Sequence, residues 1–269
     1  MEAIVFDIRR SSYVDGPGIR TTVFFKGCGL RCRWCHSPES QSAEKQILLS
    51  ADKCVGCGGC RGLTVENTDF ICRGGAKEIC GRAYGVDELF EIIARDKVFY
   101  DLSGGGVTFS GGEALLQINA LSALLKKCKK AGIRTAVDTA GHVPWASFEK
   151  ILPDTDLFLF DVKCVSEKLH IAGTGVSNKI ILQNLARLSE EYAGEIALRV
   201  PIVPGFNTDE EELRKIAAFL RTLRYTDLEL LPYHRMGESK YAALGREPTV
   251  FELPDEELMA RCEKILQAG

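Results

Sequence analysis

Apolar positions follow two periods along this chain. From about Val86 onward, short continuous apolar runs exchange with segments whose apolar residues recur every three or four positions. The short runs predict buried strands at Val107-Thr108-Phe109, Thr135-Ala136-Val137, Leu157-Phe158-Leu159-Phe160, Ile196 to Val200 and Leu228 to Leu231, the last two ending at Pro201 and Pro232. Val23-Phe24-Phe25 predicts the end of an earlier strand. Leu121, Leu124, Leu125 and Cys128 lie on one face of a helix predicted over 113–131, stopped by Gly132. A second helix, 209–223, starts at Thr208, with Glu211 completing a capping box, acidic residues first and arginines last. A third covers 255–267.

Strand and helix in alternation imply the α/β class, with a parallel sheet and right-handed crossovers. About six such units are too few for a closed eight-stranded barrel, so a partial (β/α)6 barrel of the TIM type is expected. Residues 38–83 break the pattern, being irregular and rich in Gly, Cys and charge. They read as an insertion between barrel segments 1–37 and 84–269.

Composition adds one unusual feature. The 269 residues are 45% apolar with a net charge of −3, from 34 basic and 37 acidic side chains. No apolar run approaches the length of a membrane span, and no basic stripe argues for nucleic acid. Met1 to Arg10 carries Glu2, Asp7, Arg9 and Arg10, and so lacks the apolar core of a signal peptide. There are eleven cysteines, eight of them between Cys28 and Cys80. Without a secretory signal, this density reads as metal binding in a cytoplasmic protein. Cys128 and Cys262 fall on apolar helix faces and read as core residues.

Cys28-x3-Cys32-x2-Cys35 places three thiols in eight residues on a loop after a strand. Such a set can wrap a [4Fe-4S] cube and leave one iron without a protein ligand, which is the open position catalysis requires. The plainer alternative is a zinc knuckle completed by His36, although adjacent Cys35 and His36 are poorly placed to chelate one tetrahedral ion. The motif resembles the signature of the radical S-adenosylmethionine (SAM) superfamily, with Trp34 at that family's aromatic position. Gly111-Gly112-Glu113, after the strand at 107–109, resembles the motif with which the family holds the SAM amino group.

Further stretches resemble the activating enzymes of glycyl radical enzymes. They are Asp15-Gly16-Pro17-Gly18-Ile19-Arg20, Gly104 to Thr108, Asp138-Thr139-Ala140-Gly141, Asp161-Val162-Lys163, Gly175 to Asn178, Val203-Pro204-Gly205 and Leu230 to His234. They run in the family's order over nearly the whole chain. Asp138, Asp161, Arg199 and His234 are expected at or just past strand C-termini, the face on which barrel active sites lie. The resemblance implies reductive cleavage of SAM to a 5′-deoxyadenosyl radical, which abstracts hydrogen from a glycine of a partner enzyme. It also implies that Asp138, Thr139 and Asp161 hold a sodium or potassium ion, that Asp138, Lys163 and Arg199 contact SAM, that His234 lies by the adenine, and that Asp15 grips the partner peptide. The chain departs from the family pattern at Leu159 and Ala140, where Met and Asn are common.

The insertion carries Cys54-x2-Cys57-x2-Cys60, then Cys72 and Cys80. This resembles a ferredoxin run without its fourth cysteine, with Cys72 the remnant of a second run. Cys54, Cys57, Cys60 and Cys72 would complete a second [4Fe-4S] cluster. Cys80 is the rival fourth ligand, and zinc the rival metal. Two other functions compete with activation of a partner: radical SAM chemistry on a small molecule, and electron carriage alone. Activation implies a flavodoxin or ferredoxin-type electron donor and, on this reading, a monomeric protein.

Overall fold

The computed structural model describes residues 1–67 and 70–267; the parts of the insertion and of the barrel range at 68–69 and 268–269 lie outside the described residues. The chain opens with β1 (Glu2–Ser12) antiparallel to β2 (Arg20–Phe25). The segment 38–83 contributes β3 (Gln46–Leu49) and β4 (Lys77–Cys80), which pair antiparallel as a separate two-stranded sheet. β5 (Arg82–Gly85) returns antiparallel to β1. Then follow α1 (Val86–Ala94), α2 (Lys97–Ser103), β6 (Gly106–Gly111), α3 (Ile118–Lys130), β7 (Arg134–Thr139), α4 (Trp145–Glu149), β8 (Leu157–Asp161), α5 (Glu167–Thr174), α6 (Lys179–Glu191), β9 (Glu195–Ile202), α7 (Glu210–Leu220), β10 (Asp227–Pro232), α8 (Glu238–Ala243) and α9 (Glu256–Gln267).

The main sheet runs β10-β9-β8-β7-β6-β2-β1-β5. Its six strands from β2 to β10 pair in parallel, and β10 and β5 form its two edges. This is the partial barrel that the alternation predicts. Period-2 alternation buries both faces of its central strands β2, β6, β7 and β8. Phe158 and Phe160 of β8 turn outward into the core against the helices, beside Phe109, Leu121, Leu125 and Leu198. Leu157 and Leu159 turn inward and meet Ala136. Cys128 and Cys262 are buried in the outer core, as expected. Among the described residues no helix is long and apolar enough to cross a membrane.

Three local expectations need correction. The segment after Glu113 begins as a 3-10 turn over Ala114–Gln117, and the α-helix starts only at Ile118. Asp209, not Thr208, caps α7, accepting from the Glu211 N–H at 2.9 Å. A carboxylate at a helix N-terminus gains from the dipole as well as from the hydrogen bond, so it outcompetes the neighbouring hydroxyl. Finally, β9 runs through Pro201 to Ile202. β8 stops at Asp161, opposite Arg199, so the missing N–H of Pro201 leaves no β8 partner unsatisfied.

Candidate active site

The cysteine loop leaves β2 at Phe25 and is tied down along its length. The Gly27 and Cys28 N–H groups donate to the Ser40 and Gln41 carbonyls at 2.7 and 3.2 Å. The Arg31 and Arg33 N–H groups donate to the Thr174 and Gly173 carbonyls at the end of α5. Cys28, Cys32 and Cys35 are each partly buried. Burial pushes the Cys28 thiol up to about 11 and the Cys32 thiol up to about 12, and raises Cys35 as well, while the Lys163 charge opposes all three shifts. The three partly buried thiols therefore all feel the charge of one lysine.

The end of β6 is stitched to the same loop. The Gly112 N–H donates to the Phe25 carbonyl at 2.9 Å and the Glu113 N–H to the Gly27 carbonyl at 2.7 Å. A Cβ on Gly111 would stand 2.3 Å from the Phe25 oxygen, and one on Gly112 2.2 Å from the Gly27 oxygen. The close approach these glycines allow is thus first of all to the protein's own backbone. Glu113 is 1% exposed. Its carboxylate accepts from the Thr139 hydroxyl at 2.8 Å, the Ala140 N–H at 3.1 Å and the Leu115 N–H at 3.3 Å. Burial nevertheless lifts it to about 7, so a cation placed against it would restore its charge.

Four parallel strands bring the remaining charges together. The register aligns Asp161 of β8 with Arg199 of β9, and Arg199 with Glu229 of β10. Lys163 donates to Asp161 at 2.8 Å; the lysine side chain is only 9% exposed and the aspartate 26%, so this is a partly buried pair. Burial works against the ammonium, but Asp161 holds it above the ordinary lysine range. Arg199 donates to Glu229 at 3.1 Å and to the Val14 carbonyl at 3.0 Å, and stands 3.9 Å from Asp138. Asp138 accepts from Ser110 at 2.7 Å; burial raises its pKa and Arg199 opposes the rise. Because β9 continues past Pro201, Arg199 lies within its strand and not at its end, which corrects the expectation for that residue. His234 lies past β10 with its ring centroid 5.5 Å from that of His36, so this end of the barrel reaches the cysteine loop.

Two predicted residues have structural partners that their patterns did not announce. Trp34 packs 4.2 Å from Phe206 and 6.4 Å from Phe251, in a small apolar cluster with Tyr233 and Cys164. Asp15 accepts from Ser12 and Thr22 hydroxyls at 2.6 and 2.7 Å, both on Oδ2. Arg20 is 1% exposed and braces the same turn, donating to the Pro17 and Val107 carbonyls and to Thr108.

The radical SAM superfamily sequence profile matches residues 22–220. The chain belongs to the radical SAM superfamily. Within it, the chain is 38% identical to the trans-4-hydroxy-L-proline dehydratase activating enzyme of Clostridioides difficile, over 100% of this chain and 97% of that one. It is also 38% identical to the choline trimethylamine-lyase activating enzyme of Oleidesulfovibrio alaskensis, over 91% and 88%. A domain of pyruvate-formate lyase-activating enzyme from Bacteroides vulgatus superposes with a TM-score of 0.52 at 32% identity, covering 61% of this chain and 94% of that one. These relatives place it among the activating enzymes.

A radical SAM protein carries a [4Fe-4S] cluster and SAM, and the donor set suits both. Three thiols share one partly buried mouth, and a buried carboxylate with a raised pKa waits beside them. Among the described residues no group of three or more His, Cys, Asp or Glu side chains is placed to hold a single metal ion. Between β3 and β4, Cys54 and Cys57 are exposed and Cys60 and Cys72 partly so. Cys80 ends β4, is 2% exposed, and takes the Lys26 ammonium at 3.8 Å. Backbone N–H groups of Lys77, Ala76, Gly74 and Gly75 hold Cys72 below the ordinary thiol range. Sequence reasoning missed Ser110, Thr22, Glu229, Lys26 and Glu39. Only the inward alternation of Thr22 and Ser110 along their strands could have flagged any of them.

Proposed function

We propose that this protein activates a glycyl radical enzyme, with SAM held at the mouth formed by the cysteine loop and the ends of β6 to β10. The observation that carries this reading is the placement of three partly buried thiols on one loop that is bonded directly to the turn bearing the buried Glu113. When bound, the cluster supplies the electron that splits SAM into methionine and a 5′-deoxyadenosyl radical, which then takes a hydrogen atom from the partner's glycine and leaves as 5′-deoxyadenosine. Cys28, Cys32 and Cys35 hold that cluster. Glu113 receives the SAM ammonium, oriented by Thr139 and by the Gly111-Gly112 turn. Asp138, Thr139 and Asp161 face a sodium or potassium ion, and the hydrogen bond from Thr139 to Glu113 leaves its hydroxyl further acceptor capacity for that role. Asp138, Lys163 and Arg199 complement the SAM carboxylate, and Trp34 and His234 border the nucleoside. The Asp15 turn receives the partner's glycine loop. Reduced protein incubated with SAM should form 5′-deoxyadenosine, and electron spin resonance should show a glycyl radical on one of the dehydratase, decarboxylase or lyase substrates of its relatives. A radical on none of them, with SAM consumed and a small molecule altered instead, would favour the small-molecule reading.

Residues 38–83 serve electron delivery in the same proposal. Cys54, Cys57, Cys60 and Cys72 hold a second [4Fe-4S] cluster in a ferredoxin-like insertion, fed by a flavodoxin or ferredoxin-type donor, and the protein works as a cytoplasmic monomer. The ring of N–H groups around Cys72 supports it as the fourth ligand, because such donors favour a thiolate. Cys80, facing Lys26 across the seam to the barrel, belongs to packing. Cys57→Ala and Cys72→Ala should each remove about four irons per chain and slow turnover, with SAM affinity little changed. Cys80→Ala should keep its iron. Iron content unchanged in the first two after anaerobic reconstitution would return the insertion to zinc or to no metal.

A further inference from the structure

Charges outside the residues assigned above close the cysteine loop on its outer side. Glu39 lies in the turn Pro38–Ser40 and is 5% exposed. Its Oε1 accepts from Lys240 Nζ at 2.6 Å, and the same ammonium stands 3.4 Å from Ser37 Oγ. Its main-chain oxygen accepts from the buried Lys26 Nζ at 2.5 Å. This turn holds the start of the loop, since the Gly27 and Cys28 N–H groups donate to Ser40 and Gln41. The segment around α8 grips the rest. Tyr241 donates to the Cys32 carbonyl at 3.4 Å, and Arg246 donates to Gln41 Oε1 at 3.0 Å. A Cβ on Gly237 would stand 2.8 Å from the Cys35 oxygen, so this backbone packs directly on the loop.

A latch made only of hydrogen bonds would not require a carboxylate. Glu39 Oε2 is buried without a hydrogen-bond partner among the described residues, a costly state for a polar oxygen. A glutamine oxygen could receive Lys240 at Oε1 with a smaller desolvation cost. What the carboxylate alone provides is a negative charge four residues from Cys35, on the turn beside which Ser40 and Gln41 hold Gly27 and Cys28. The potential of an iron–sulfur cluster follows the net charge around it.

We infer that Glu39 and Lys240 are positioning residues: a buried charge pair that closes the cysteine loop and fixes the net charge beside Cys35, and with it the potential at which the cluster accepts its electron. The inference rests on the reading that Cys28, Cys32 and Cys35 hold the SAM-binding cluster. It is tested on the full chain, reconstituted anaerobically, by a redox titration of the SAM-sensitive electron spin resonance signal. The titration is run at pH 9, far above the ordinary carboxyl range. There Glu39→Gln should shift the potential upward and Lys240→Met downward, while the double variant returns to the wild-type value. Opposite signs are the decisive feature, because a loosened loop would move both single variants the same way. Shifts in one direction, or none with full iron content, would overturn the inference. If a single variant takes up no iron, the double variant decides, since it leaves no unpaired charge. A wild-type potential then supports the pair and a displaced one overturns it. Wild-type protein without any SAM-sensitive signal would instead sink the functional reading beneath it.

Discussion

Cys32→Ala should abolish SAM cleavage. The three thiols have no nearby substitute: Cys164 is 1% exposed in the apolar cluster behind Trp34, and Cys80 faces Lys26 across the insertion seam. Losing one of three ligands leaves two thiols to hold a cube that needs at least three. The purified variant, reconstituted and reduced under the wild-type protocol, should lack about four irons per chain if the cluster is lost whole. Its production of 5′-deoxyadenosine should fall to the level of a protein-free control. The fold itself should survive, because the Cys32 side chain is not part of the main core and the loop is held by main-chain bonds to Thr174 and Gly173. Formation of 5′-deoxyadenosine near the wild-type rate would remove Cys32 from the chemistry.

Asp15→Ala should eliminate glycyl radical formation on the partner while SAM binding and slow uncoupled cleavage persist. Both hydroxyls that reach Asp15 fall on Oδ2, which leaves the other oxygen's acceptor capacity for a peptide N–H. A glycine loop offers backbone donors and almost no side chains, so a fixed carboxylate is a suitable grip. Hydrogen abstraction demands near-contact geometry, and a small misplacement of the glycine would be enough to stop it. The turn should not collapse in the variant, because Arg20 still ties Pro17 to Val107, and Thr108 still holds the Asp15 carbonyl at 2.6 Å. The test pairs electron spin resonance of the partner with a 5′-deoxyadenosine assay. A full radical yield refutes the grip, whereas loss of both signals makes Asp15 a structural residue. Arg20→Met, by contrast, should fail in both assays, since it removes a buried guanidinium with three partners.

The order of elements was legible because it is local. Continuous apolar runs such as Leu157 to Phe160 form strands wherever both faces are buried, and the periodic leucines of α3 form a helix wherever one face is. The count of parallel strands followed from the alternation alone. Element edges were less legible, because neighbours decide them. Pro201 ends no strand because β8 has already stopped beside it, and Asp209 takes the cap from Thr208 because it carries a charge. β1 was not predicted at all: its eleven residues pair on both sides, with β2 and with β5, which lies some seventy positions downstream.

The sequence by itself determined the family and the kind of chemistry. Three cysteines at fixed spacing, a Gly-Gly-Glu turn and a series of short matched stretches are chemical constraints written in consecutive residues. Tertiary structure alone decided what each charge touches. Lys163 and Asp161 became a partly buried pair, Glu113 found Thr139, Arg199 found Glu229 and Val14, Cys80 met Lys26, and Glu39 met Lys240 across 201 positions. The reason is physical. Motifs report which functional groups a backbone segment carries, whereas desolvation and pairing depend on which other segments the sheet register places within a few ångströms.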